Sequence, residues 1–335
     1  MLAVDVGYSD TKACSLSGHR ISIPSVIAPL TADPLGGVLG NGVGYKAHIR
    51  RPNGTTEEKL IGEAAAASFF GTSFLGKDKP ADMHDLLVMT AAHLVGAGGT
   101  GMMPGQVDLA VGLPLAYYKT QRDALKVRLS ALSAWVQVNN GEERYISFGN
   151  VLVAPQGAAA VFAFENLPKA GYVVVVDIGR GTTDYLLLSI ADGVPRPIAE
   201  ASGSLEIGCH LVLKALAHEF QAKTGAPLPQ RMERQVLAQV REGEPVSFGG
   251  KKIDLSDAFK KAMVETSRAI SRQVLSALGD FANFVEVVYL IGGGPLLLGP
   301  ELTEAFPAAI VAPDPVFANA NGYLKMLRNA LSGQP

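Results

Sequence analysis

Two short stretches of the chain repeat one arrangement of chemical groups. In "LAVDVGYSDTK" (residues 2–12) and "VVVVDIGRGTTD" (residues 173–184), an apolar run meets an aspartate and is followed by small and hydroxyl residues. Laid over each other, Asp5 falls on Asp177, Gly7 on Gly179, Ser9 on Gly181, Thr11 on Thr183 and Lys12 on Asp184. Small residues in a tight turn let backbone N–H groups approach phosphate oxygens closely. Hydroxyls at Ser9, Thr182 and Thr183 can add donors, and Lys12 supplies a positive charge where β- and γ-phosphates would lie. A carboxylate beside a polyphosphate repels it unless a divalent cation lies between them. Mg2+ typically binds one or two carboxylates, phosphate oxygens and water. Asp5 and Asp177 are the candidate metal carboxylates. The chemistry expected is a phosphate chain held between two lobes, each supplying one turn.

One such turn alone reads more simply as a β-hairpin with an incidental aspartate. Two matched copies, with a glycine triplet at residues 292–294, argue for phosphate. Other nucleotide motifs do not compete. G-x-x-x-x-G-K-[ST] is absent, and no G-x-G-x-x-G opens a helix after a strand. The cluster "GAGGTG" at residues 96–101 follows a helical pattern and reads as a loop.

Buried strands must carry these turns, and helices must back them. "ISIPSVIAPL" reads as a further short strand, and the Gly- and Pro-rich text over residues 31–51 as loops and short hairpins of an inserted region. "GEAAAASFF" and "DMHDLLVMTAAHLVGAG" read as helices, the second with Leu86, Met89, Ala92 (or His93) and Leu94 roughly along one face. "VDLAVGLPLAYY" is a buried strand broken by Gly112 and Pro114, ahead of an exposed charged helix. "ISFGNVLVAPQGAAAVFAFE" reads as a strand, a turn at Pro155 and an alanine-rich helix. A helix closing near Gly225 follows the second turn, and another, with Ser256 as its N-cap, carries Phe259, Met263, Ile270, Val274 and Leu278 at helical spacing. "VEVVYLIGGGPLLL" is a buried strand meeting the glycine triplet, and "NGYLKMLRNAL" is a last helix. Alternating strands and helices make this an α/β protein.

At 335 residues the chain has room for two domains of ordinary size. Hydrophobic residues at 48% and charged residues at 18% mark a globular composition. A formal net charge of -2 predicts no direct attraction to nucleic acid or acidic membrane. The two cysteines, Cys14 and Cys209, read as buried free thiols of a reducing compartment, and no Cys/His cluster has metal spacing. Without a basic leader or a long apolar segment, a soluble cytoplasmic protein is expected.

These residues resemble the superfamily of sugar kinases, DnaK-type chaperones and actin. Residues 5–12 look like its first phosphate turn and residues 177–184 like its second, while "YLIGGGPLL" (residues 289–297) resembles its adenosine turn. Within the superfamily, "GLPLAYYKTQRDALKVRL", "VLVAPQGAAAVF" and "PDPVFANANGYLKM" are similar to the bacterial and plasmid actin-like proteins, the ParM/StbA group. The resemblance implies an actin-like (ribonuclease H-like) fold of two lobes, each a mixed sheet flanked by helices, with nucleotide in the interlobe cleft. Domain I would span residues 1–155, with an inserted subdomain at about 31–80 and completion by a C-terminal helix at about 320–335. Domain II would span residues 156–319, with an insertion at about 207–265.

It further implies ATP or GTP with Mg2+ as cofactors. Gly7, Tyr8, Ser9, Asp10, Thr11 and Lys12 would line the first turn, and Gly179, Arg180, Gly181, Thr182 and Thr183 the second. Gly292, Gly293, Gly294 and Pro295 would lie against the base, and Glu206 would reach a ribose hydroxyl if the following helix lines the pocket. Gln156, after the proline, would position the water that attacks the γ-phosphate, with Asp177 as metal partner through water. Tyr8 and Arg180 stand where smaller residues are common in the family; Arg180 either contacts phosphate or faces solvent. The function implied is a filament-forming ATPase that moves plasmid or other DNA through a DNA-binding adaptor protein. A small-molecule kinase with Asp10, Asp108 or Asp184 as base, and a non-dynamic nucleotide-binding scaffold or cell-division protein, are the alternatives.

Overall fold

The computed structural model describes residues 1–30, 44–74, 79–100, 105–164 and 166–333. The glycine-rich loop expected from residue 31 lies outside the described residues as far as residue 43, as does the end of the cluster at residues 96–101. The chain divides into two units, Met1–Ala163 with Phe317–Pro335, and Phe164–Val316.

The first unit has strands β1 (Leu2–Val6), β2 (Asp10–Ser15), β3 (Arg20–Pro24), β4 (Val26–Pro29), β5 (Tyr45–Arg50), β6 (Thr56–Ile61), β7 (Thr72–Ser73), β8 (Gly99–Thr100), β9 (Gly105–Leu113), β10 (Ser133–Val138) and β11 (Arg144–Pro155). Its helices are α1 (Glu63–Ala67), α2 (Ala81–Leu94) and α3 (Leu115–Ser130). The second unit has β12 (Gly171–Ile178), β13 (Thr183–Ala191), β14 (Val194–Pro197), β15 (Gly203–Leu205), β16 (Val246–Phe248), β17 (Lys251–Ile253), β18 (Val285–Gly292) and β19 (Ala309–Val311). Helices α4 (His210–Thr224), α5 (Glu233–Arg241), α6 (Ser256–Leu278) and α7 (Gly294–Ala305) belong to it, and α8 (Ala318–Ser332) returns to the first unit.

The two sheets share one plan. In the first, β3-β2-β1 run antiparallel, and β1-β9-β11 run parallel. In the second, β14-β13-β12 run antiparallel, and β12-β18-β19 run parallel. Central parallel strands are covered on both faces and therefore read as unbroken apolar runs. Every residue of β1 is buried, and Val173, Val174, Val175 and Val176 of β12 have no exposed surface. Beyond β11, the first sheet continues through β10, β5, β6, β4 and β7.

Several local expectations change. The strand read from "ISIPSVIAPL" is two strands broken at Ser25. Residues 83–92 of α2 are all buried, so the helix has no polar face; mostly apolar all round, it packs on β1, β2, β10 and β11. β9 runs through Gly112 to Leu113, and α3 begins directly after Pro114. The alanine-rich segment is a 3-10 turn, Ala159–Ala163, with Gly322 of α8 seated against the Ala159 carbonyl. Ser256 is the first residue of α6 rather than its cap; the Asp254 carboxylate accepts its N–H at 2.9 Å. Cys14 and Cys209 are buried free thiols. No helix among the described residues is long and apolar enough to cross a membrane.

Candidate nucleotide-binding turns

The first turn joins β1 to β2 with Asp5 opposite Lys12 in register and Val6 opposite Thr11. It closes through the Gly7 N–H, which donates to the Asp10 carbonyl at 3.1 Å. Asp5 is buried; the Lys12 ammonium stands 3.8 Å from its carboxylate, and the Gln156 side-chain amide donates to it at 3.0 Å. Gln156 is itself fixed by its backbone N–H, which donates to the Leu113 carbonyl at 2.8 Å. Asp5, Lys12 and Gln156, taken from distant sequence, therefore meet. Thr11 has no exposed surface: its hydroxyl lies 2.9 Å from that of Ser25, which donates to the Gly7 carbonyl at 2.7 Å. Since Ser25 spends its proton on Gly7, Thr11 must donate to Ser25.

Tyr8, the second residue of this turn, points to the inserted part of its own unit. Its ring meets Phe74 edge-on at 6.1 Å, and the Lys79 ammonium stands 4.6 Å over it. Lys79 also donates to the Val6 carbonyl at the end of β1.

The second turn is built the same way. Asp177 faces Asp184, Ile178 faces Thr183, and the Gly179 N–H donates to the Thr182 carbonyl at 2.9 Å. The Gly179 and Arg180 carbonyls are turned onto the start of α4, accepting from the Cys209 and His210 N–H groups at 3.1 and 2.8 Å. That approach needs Gly208, where a Cβ would come within 2.6 Å of the Gly179 oxygen. Among the described residues, no backbone carbonyl accepts from the N–H groups of Arg180, Gly181 or Thr182. Two of its carbonyls thus face inward, while three consecutive amides have no backbone partner among the described residues. Thr183 has no exposed surface, and its hydroxyl donates to the Ile207 carbonyl at 2.8 Å. Thr183, expected to offer its hydroxyl to a ligand, and Thr11, expected to line the first turn, instead brace their turns from inside.

Arg180 neither faces solvent alone nor stands ready in the turn: its guanidinium donates to Glu233 at 2.8 Å. Asp184 is buried and accepts from the Ser204 hydroxyl. Glu206 is exposed in the bend between β15 and α4.

The glycine triplet ends β18 beside the second turn, with Gly292 opposite Ile178. Gly292 has φ of 85°, and a Cβ there would lie 2.5 Å from both an Asp177 carboxylate oxygen and the Ile178 carbonyl. A Cβ on Gly294 would overlap the Ile178 side chain. Pro295 is buried, so only Gly293 of these four is exposed, with open space before it.

Within each unit these groups stand at the carboxyl ends of parallel strands, where ligands of open α/β sheets bind. Asp108 does not; it stands toward the amino end of β9 and accepts from Asn150 at 2.9 and 3.1 Å. Among the described residues, no three of His, Cys, Asp and Glu gather as a ready metal centre. Ser25, Lys79, Gly208 and Glu233 belong to the turns without having been anticipated from the sequence. Burial pushes the Cys209 thiol up to about 12, so it stays protonated and unreactive beside the second turn.

Two units with one sheet plan, each ending its first hairpin in such a turn, define an actin-like fold. Comparison with known proteins agrees. The family "Actin like proteins N terminal domain" matches residues 3–158, and "Archaeal actin homologue MreB-like, C-terminal" matches residues 175–304. The archaeal actin homolog of Thermoplasma acidophilum is 26% identical over 330 residues, 96% of this chain and 97% of that one. Among solved structures, a pCBH ParM non-polymerisable quadruple mutant is 25% identical with a TM-score of 0.85 over 98% of both chains. A 15-stranded ParM filament from Clostridium botulinum has the same fold at 24% identity and a TM-score of 0.87, over 98% of both. An archaeal actin homolog in complex with ADP is 25% identical with a TM-score of 0.77, over 98% and 99%. The chain is thus similar along its length to actin-like proteins, ParM among them, and shares their fold.

Proposed function

We propose that this protein binds a nucleoside triphosphate with Mg2+ at its matched turns, hydrolyses it, and forms filaments whose lifetime the hydrolysis sets. The carrying observation is the second turn, whose carbonyls face α4 while the Arg180, Gly181 and Thr182 amides remain for phosphate oxygens. The ADP complex of the archaeal actin homolog and the ParM relatives support nucleotide binding and self-assembly.

Mg2+ suits the residues present, because it asks for only one or two carboxylates besides phosphate and water. Asp177, half-buried at the end of β12, would hold it, and the metal would neutralise charge on the phosphates. Asp5 fits that role less well, since Lys12 already compensates its charge. Asp5 instead holds the Gln156 amide in place, and Gln156 would orient the attacking water. Lys12 would add positive charge at the first turn. ATP and GTP both remain candidate substrates. Segregation of plasmid or other DNA, through an adaptor protein, is the cellular role we favour, consistent with a net charge of -2. A kinase reading loses Asp108 to the other end of its strand and Asp184 to Ser204.

The test is ninety-degree light scattering with a phosphate-release assay after adding Mg-ATP or Mg-GTP. Scattering that rises with nucleotide and decays as phosphate appears is expected. Flat scattering at high protein concentration would sink the filament reading.

A further inference from the structure

The second residue of each turn departs from the small residues around it, and each reaches the inserted part of its own unit. Tyr8 meets Phe74 and Lys79, ahead of α2. Arg180 meets Glu233, the first residue of α5, at 2.8 Å. The two contacts differ in one decisive way. A ring contact has nothing to exchange with a phosphate, whereas a guanidinium holding a carboxylate can exchange it for a phosphate oxygen, and Arg pairs with either in the same forked geometry. Arg180 is attached to the turn whose amides are unspent, so its side chain begins at the place where the phosphate would sit.

We infer that Glu233 competes with the terminal phosphate of the nucleotide for Arg180. The inference rests on the reading of the second turn as a phosphate site. Before the triphosphate binds, Glu233 withholds the guanidinium and ties α5 to the turn. A γ-phosphate supplies more negative charge than one carboxylate and draws Arg180 away, releasing the start of α5. After hydrolysis and phosphate loss the pair re-forms. Glu233 is thus a positioning residue that sets how strongly the site distinguishes triphosphate from diphosphate. The side chains are 29% and 22% exposed, so the pair is partly screened, and its release can shift affinity on the order of fivefold, not a thousandfold.

The experiment is calorimetric titration of the full chain, below its assembly concentration, with Mg-ADP and with a non-hydrolysable Mg-ATP analogue. Glu233→Gln, which keeps the shape and removes the charge, should raise the analogue-to-ADP affinity ratio about threefold to fivefold. Arg180→Gln should lower the ratio, and the double variant should match Arg180→Gln alone. Hydrogen exchange should show α5 amides opening faster with analogue than with ADP in the native protein, and equally fast in Glu233→Gln. If Glu233→Gln is poorly folded, Glu233→Ala is read the same way. An unchanged ratio, with only thermal stability altered, would show a plain structural strut and overturn the inference. Native protein that binds neither nucleotide would instead overturn the phosphate site itself, and the inference with it.

Discussion

Substituting alanine along the glycine triplet separates what the fold needs from what a ligand needs. At Gly292 the backbone has φ of 85°, a left-handed conformation that costs an L-residue about 1–2 kcal/mol. A Cβ there would also stand 2.5 Å from an Asp177 oxygen and from the Ile178 carbonyl, far inside ordinary contact. Relief of such overpacking typically costs a further ~1–3 kcal/mol. Gly292→Ala should therefore destabilise the second unit by roughly 2–5 kcal/mol, which lowers Tm by about 4–20 °C for a unit of this size. Gly293 has φ of -79°, and a Cβ there meets nothing within 4 Å. Gly293→Ala should leave Tm within about 1 °C yet weaken nucleotide binding about tenfold, because the new methyl group occupies the exposed face offered to the base. Scanning calorimetry and nucleotide titration on the two variants check both halves. Equal Tm values for the two would refute the assignment of Gly292 to packing. Unchanged affinity in Gly293→Ala would refute the base-binding role.

The remaining predictions concern the turns and the core behind them. Gln156→Ala removes the 3.0 Å donor to Asp5 and should slow phosphate release about tenfold to a hundredfold, with nucleotide affinity little changed in the same titrations. Thr183→Val strands the part-buried Ile207 carbonyl and should cost about 1–3 kcal/mol of stability with no loss of nucleotide affinity. Thr182→Val should do the reverse; the pair of denaturant midpoints and dissociation constants decides. Burial holds His84 of α2 below the usual histidine range, with Asp85 opposing and Lys79 and Arg128 adding to the shift. A depressed pKa means that stability present above pH ~6.5 is lost as pH falls below it, since the unfolded chain takes up a proton first. The denaturant midpoint should drop between pH 7 and 5, and His84→Gln should flatten that drop. An identical slope in the variant would remove His84 from the account.

Much of this was legible because both turns advertise themselves locally. An apolar run ending in aspartate, then glycine, specifies a buried strand and a tight turn within a dozen residues, and the hairpin register follows from the turn. Asp5 opposite Lys12 and Asp177 opposite Asp184 are consequences of that register. The inward aim of Thr11 also follows from the alternation of β2, in which Thr11 and Ala13 are buried and Lys12 is not. Contacts of long sequence separation had no local signal: Tyr8 with Lys79, Arg180 with Glu233, and Gln156 with Asp5 depend on how distant segments close. The triplet showed that glycine was required but not by what, and two of its three members answer to β12, not to a ligand.

The return of α8 to the first unit has a consequence for how the protein is made. Tyr323 and Leu327 of that helix close a small core with Ala3, Cys14, Ala110, Ala154 and Ala159, all translated much earlier. A ribosome therefore releases the whole of the second unit, contiguous in the chain, before it supplies the last piece of the first. Through that interval the nascent first unit waits with an uncovered alanine-lined seat that has a single matching plug. Stalling or premature termination after residue 316 would yield a finished second unit beside an unsealed first one. Proteolytic quality control has a defined apolar surface by which to recognise such a fragment.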